Sequence, residues 1–163
     1  MAPAPIRPDN KPHAQDWHPE TLLKTLLGKW YFTREIPGHA SMRGEAVFEE
    51  TTDHYTLYRE EGQLIAGDYT SSFFKEYLFE KAPGGFAVYF KEVPKRLFHT
   101  VILELNDDSL WHGKTEHQCL CDHYASAYVF FARGQFSITH QVKGPRKNYE
   151  IKTIYQLEES SQR

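Results

Sequence analysis

Residues 135–142 read QFSITHQV, and their chemistry changes at every step. Phe136, Ile138, His140 and Val142 fall on one face, and Gln135, Ser137, Thr139 and Gln141 on the other. A period of two marks a half-buried strand, because successive side chains of an extended chain point to opposite sides. Arg133-Gly134 and Lys143-Gly144-Pro145 bound the stretch with turn chemistry. It reads as one strand of an antiparallel sheet, with a face toward a core and a face toward water.

The same period runs from Lys29 to the C-terminal region. It predicts strands at 29–36, 44–51, 54–60, 63–69, 72–81, 86–91, 97–105, 109–117, 124–133, 135–142 and 148–157. Further breaks carry turn residues, at Pro37-Gly38, Glu61-Gly62, Pro83-Gly84-Gly85 and Asn106-Asp107-Asp108. Ahead of the strands, Leu22, Leu23, Leu26 and Leu27 form the apolar stripe of a short helix over 20–27. Asp16 or Thr21 would cap it, and Gly28 would end it. Short strands in series with no helix between them suggest a meander, and closing it into a barrel removes the exposed edges. The predicted fold class is all-β: a single closed antiparallel up-and-down barrel with a short N-terminal helix.

A chain of 163 residues suits one domain. Five of its nine prolines fall in the first nineteen residues, so 1–19 is expected to be a proline-rich extended tail and 20–163 the barrel domain. Such a tail is either a disordered leader or an arm that docks on a protein partner or a second copy of the chain. The 19 basic and 22 acidic residues give a net charge of −3, which argues against nucleic-acid binding. No run approaches the roughly 20 apolar residues of a membrane span, and no apolar leader is present, so a cytoplasmic protein without membrane contact is expected. Cys119 and Cys121, if both lie on one strand, have Cα atoms about 6.5–7 Å apart, at or beyond disulfide range. That spacing favours a reducing compartment.

The composition includes 10 Tyr, 11 Phe, 3 Trp and 9 His, ample for an aromatic core. Alternation places polar groups among those rings. Arg34 shares a face with Trp30, Phe32 and Ile36; His99 with Val101 and Leu103; Tyr149 with Ile151 and Tyr155. A buried charge or unpaired imidazole costs several kcal/mol unless a partner is supplied. Tyrosines, Asp122, Glu50, water or a ligand are the candidates.

Residues 117–124, HQCLCDHY, hold the densest run of reactive groups. On one strand, His117, Cys119, Cys121 and His123 would line up over about 20 Å, so at most two neighbours could reach one ion. No metal and no other cofactor is expected. The run could supply Cys119 as a nucleophile with His117 or His99 as base and Asp122 as orienter. It could equally line a pocket, with Asp122 and Tyr124 orienting His117. The loop KGPRKN at 143–148 is a solvated hairpin or an anion clamp, with Arg146 suited to a bidentate contact.

Leu27-Gly28-Lys29-Trp30, a short helix running into G-x-W, resembles the opening of a lipocalin or calycin barrel. The resemblance implies that the Trp packs at the closed end of the barrel near a cation, for which Arg34 or Lys152 would serve. Over residues 22–157 the chain is similar to a family of small lipocalin-like bacterial domains without an assigned function. The matching motifs are G-x-W-x-x-x-R (Gly28, Trp30, Arg34), Phe98-His99, H-x-C-x-x-D-x-Y (His117, Cys119, Asp122, Tyr124) and G-P-[RK]-K-x-Y (Gly144, Pro145, Arg146, Lys147, Tyr149). The resemblance implies one β-barrel and supplies no substrate.

The candidate ligand-binding residues are therefore Arg34, His99, His117, Cys119, Asp122, Tyr124, His140, Arg146 and Tyr149. The leading expectation is a barrel that binds a small apolar or aromatic molecule with an acidic group. The alternatives are a small isomerase, dehydratase or hydrolase using the His/Cys/Asp groups, and an accessory subunit docking through residues 1–19.

Overall fold

The computed structural model describes residues 17–131 and 134–158, so residues 1–16 of the proline-rich segment, Asp16 and Arg133 lie outside it. One helix, α1 (Leu22–Leu26), precedes ten strands. They are β1 (Gly28–Ile36), β2 (Ala40–Glu50), β3 (Thr56–Ala66), β4 (Tyr69–Ala82) and β5 (Gly85–Phe90), followed by β6 (Arg96–Leu105), β7 (Trp111–Cys119), β8 (Asp122–Phe130), β9 (Gln135–Lys143) and β10 (Asn148–Leu157). Each strand pairs antiparallel with the next, and β1 pairs with β10 to close an up-and-down barrel. Closure leaves every strand with two neighbours, which removes the unpaired edges that a strand-rich chain must otherwise protect.

The sequence reading divides β3 into two strands at Glu61-Gly62, and the structure corrects this. Gly62 lies in mid-strand opposite Gly44, and the reversal comes at Gly67, which has φ +61°. A Cβ on Gly62 would stand 2.2 Å from the Arg43 carbonyl oxygen, and one on Gly44 2.1 Å from that of Glu61. These glycines permit close backbone approach rather than a turn. The row across the sheet runs Phe32, Gly44, Gly62, Phe73, and the two rings meet at 6.2 Å over the missing side chains.

The hairpin at residues 117–124 is a second correction. The chain reverses at Leu120 (φ +55°) and Cys121, so His117 faces Tyr124 on the neighbouring strand and the four groups do not form one line. Cys121 is an exposed free thiol. The side chain of Cys119 is outside the described part of the structure.

The helix closes one end. Leu22 and Leu26 are buried, and Trp30 Nε1 donates to the Leu26 carbonyl at 2.7 Å, tying helix to barrel. Trp17 is buried too, 4.9 Å from the Phe130 ring, while Trp30 stands edge-on to Phe136 at 4.9 Å. Neither suggested cation accompanies Trp30: Lys152 is exposed, and the Arg34 guanidinium lies 4.7 Å from the Phe32 ring. No helix among the described residues is long and apolar enough to cross a membrane.

Candidate functional site

Above this aromatic floor the barrel is not filled. A cavity of about 190 Å³ remains, floored by Leu26, Phe130 and Phe136 and walled mainly by Phe and Tyr rings. The polar groups in its wall come from different strands, each at an inward position of its pleat. They include Arg34 on β1, Tyr58 and Glu60 on β3, Lys75 and Tyr77 on β4, Tyr128 on β8, His140 on β9, and Thr153 and Tyr155 on β10.

Arg34 and Glu60 form a bidentate pair, Nη1 to Oε2 at 2.8 Å and Nη2 to Oε1 at 2.9 Å. Arg34 Nε also donates to Thr153 Oγ1 at 2.8 Å. Tyr58 OH donates to Glu60 Oε1 at 2.5 Å and meets Tyr155 OH at 2.9 Å. The carboxylate is thus satisfied on both oxygens. Burial would push the Glu60 carboxyl up, but the Arg34 and Tyr58 hydrogen bonds hold it below the usual range. The partner of Arg34 is Glu60, which was not among the candidates that the sequence offered for the buried polar groups.

Lys75 sits directly opposite Glu60 in the β3–β4 ladder. Its ammonium lies 5.3 Å from the Tyr77 ring, and it has no carboxylate partner among the described residues. Because Lys75 is exposed and also lines the cavity, it marks the mouth.

Two imidazoles are held neutral. His140 Nδ1 bonds Ser126 Oγ at 2.6 Å across the β8–β9 ladder. Burial, then the charges of Arg34 and Lys75, push its pKa down to about 4. His99 Nε2 bonds Tyr128 OH at 2.8 Å, and its buried Nδ1 has no partner. Burial, reinforced by His140 and His117, pushes His99 down to about 3.

A register shift between Val88 and Tyr89 leaves Phe98 unpaired as a bulge residue. Consecutive strand side chains normally diverge, but here the Phe98 and His99 rings stack at 4.1 Å, with Phe98 turned into the cavity. The Phe98-His99 motif is therefore a bulge that brings two neighbouring rings to one side.

The remaining candidates lie elsewhere at this end. His117 is half-buried behind Phe98, ring to ring at 5.4 Å, and 6.2 Å from Tyr124. Asp122 Oδ2 accepts from Lys147 Nζ at 3.0 Å, which engages Asp122 with an ammonium instead of a catalytic imidazole. A Cβ on Gly144 would stand 2.1 Å from Asp122 Oδ1, so the two late motifs together clamp the β7–β8 hairpin to the β9–β10 hairpin. Arg146 is exposed on that clamp, and Tyr149 is half-buried beside His39 at 6.2 Å. None of His99, His117, Asp122, Tyr124, Arg146 or Tyr149 lines the cavity; Arg34 and His140 do. Among the described residues no three His, Cys, Asp or Glu side chains converge as a metal site.

Sequence reasoning missed Tyr58, Glu60, Lys75 and Ser126. The alternation Phe73, Lys75, Tyr77, Phe79 carried the signal for Lys75, a cation on an aromatic face.

A family model described as a family of unknown function, DUF6314, matches residues 26–157. The chain belongs to that family. No curated protein matches the sequence. Among solved structures, the chain is similar to a redesigned β-barrel, b11L5F_LGL, at 11% identity and TM-score 0.44, over 84% of this chain and 95% of that one. It is similar also to the redesigned barrel mFAP1 bound to DFHBI, at 10% identity and TM-score 0.40, over 82% and 96% of the two chains. A third, EF1p2_mFAP2b bound to DFHBI, gives 10% identity and TM-score 0.41 over 82% and 94%.

Proposed function

We propose that the barrel binds a small amphipathic acid, with its compact aromatic or apolar body inside and its anionic group at Lys75. The observation that supports this reading most directly is the cavity of about 190 Å³ with Lys75 at its mouth, a cation without an ion pair among the described residues. An apolar cavity of about 150 Å³ accepts one benzene ring, so the size suits a monocyclic ligand. The charge balance gives the sign. Arg34 is neutralised by Glu60, and His140 and His99 are uncharged at neutral pH, which leaves Lys75 as the surplus charge. Lys75 thus takes the anion-binding role that the sequence reading offered to Arg146, which does not line the cavity.

Titration of the protein with benzoate and with benzyl alcohol, followed by calorimetry or ligand-detected NMR, tests the reading. Benzoate should bind more tightly than the neutral ring. Lys75→Met should weaken benzoate about tenfold, equivalent to about 1.4 kcal/mol, and leave benzyl alcohol unaffected. Binding of neither ring would rule out a ligand cavity, and equal binding of both by the unaltered protein would rule out the role of Lys75.

A further inference from the structure

Two imidazole nitrogens at this end of the barrel have no hydrogen-bond partner among the described residues, and their surroundings differ. His99 Nδ1 is fully enclosed behind Phe98. His140 lines the cavity, its Nδ1 is taken by Ser126, and its Nε2 has no hydrogen-bond partner among the described residues yet is not an enclosed orphan. Nε2 is therefore the nitrogen left in contact with the open space. It belongs to β9, while Lys75 belongs to β4, on another wall of the same cavity.

We propose that His140 Nε2 is a second recognition point, so that the ligand is a ring acid carrying a hydroxyl away from its anionic group. This rests on the cavity reading above and specifies its substrate class. The hydroxyl of Ser126 can donate or accept, so it supports either tautomer of His140. A ligand hydroxyl donating to Nε2 fixes the proton on Nδ1, from which it is donated to Ser126 Oγ. The neutral imidazole favoured by burial is the form with a lone pair to offer. An apolar cavity that contains one unpaired imidazole nitrogen discriminates strongly, because a ligand lacking the hydroxyl leaves that nitrogen unsatisfied.

Affinities of the unaltered protein for benzoate, 3-hydroxybenzoate and 4-hydroxybenzoate provide the test. At least one hydroxylated isomer should bind about tenfold more tightly than benzoate. His140→Phe should abolish that preference and keep the affinity for benzoate, which also reports that the cavity has survived. Should that variant fail to fold, the ¹⁵N shifts of the His140 ring in the unaltered protein serve instead. They should move to the Nδ1–H pattern with the hydroxybenzoate and not with benzoate. Equal affinity for all three acids, a preference that survives His140→Phe, or unchanged ¹⁵N shifts would each overturn the inference while leaving the cavity reading standing. Absence of benzoate binding as well would remove both.

Discussion

At the helix end of the barrel, Trp17, Trp30, Phe130 and Phe136 pack ring against ring with no charged group among them. At the other end Arg34 and His140, on β1 and β9 again, and Glu60 and Lys75, on β3 and β4, line the cavity. The strand that places Trp30 in the floor places Arg34 in the cavity wall, four residues and two inward positions further on. Alternation thus delivers both kinds of group, and the difference lies in what meets them. The floor has α1 and Trp17 to fill it, whereas the upper wall has hydrogen bonds that satisfy the buried groups and leave space between them. One end supplies most of the packing, and the other holds its polar groups rigidly around a void.

The largest effect expected from this contrast is at the floor. Trp30→Ala removes a buried indole and its bond to Leu26, and should cost about 3–5 kcal/mol in urea unfolding. Lys75→Met, at the mouth, should change stability by less than about 0.5 kcal/mol. Comparable losses for the two would mean that the floor is not the principal packed core.

The contrast was partly legible in the sequence. Alternation put Trp30, Arg34, His99 and His140 inside, and it predicted the closed meander of strands. It failed at β3, where Glu61-Gly62 has the composition of a turn and the geometry of a close strand crossing. A glycine needed because a neighbouring backbone approaches is chemically the same residue as one needed for a positive φ. That misreading cut Thr56, Tyr58 and Glu60 off from Leu64, and the partner of Arg34 went unseen. The H-x-C-x-x-D-x-Y and G-P-[RK]-K-x-Y motifs misled in another way: Asp122, Gly144 and Lys147 hold two hairpins together at the rim. Pairings between strands distant in sequence are set by register, which no local pattern reports.

A smaller effect should follow from breaking the polar wall. Glu60→Leu leaves Arg34 buried beside Thr153 without a counter-charge, at a cost of about 3 kcal/mol. Combining it with Arg34→Met should recover most of that loss, because a buried pair replaced by apolar groups of similar volume is often neutral. If the single variant were as stable as the parent, the wall would not be held by this pair, and the distinction between the two ends would weaken.

The least effect per step, and the most specific to the upper wall, is on acid stability. Both buried histidines have folded pKa values below the ordinary value near 6.5, at about 3 for His99 and about 4 for His140. Between pH 6.5 and 4 the unfolded chain therefore binds protons that the folded chain excludes, and stability falls as pH falls. Each group contributes a slope of up to about 1.4 kcal/mol per pH unit across that window. His140 stops contributing near pH 4, while His99 continues toward pH 3. Glu60, with its pKa lowered in the fold, adds to the loss only below its unfolded value near 4.5, as acid titrates the pair with Arg34. Urea unfolding at half-unit steps from pH 7.5 to 4.5 should thus be flat above 7 and decline below 6.5. His140→Phe should remove one share of the slope, and Trp30→Ala should lower the whole curve without changing its shape. A decline that begins only below pH 5 would assign the acid sensitivity to carboxylates, and the two histidines at the upper end would then be protonated without cost to the fold.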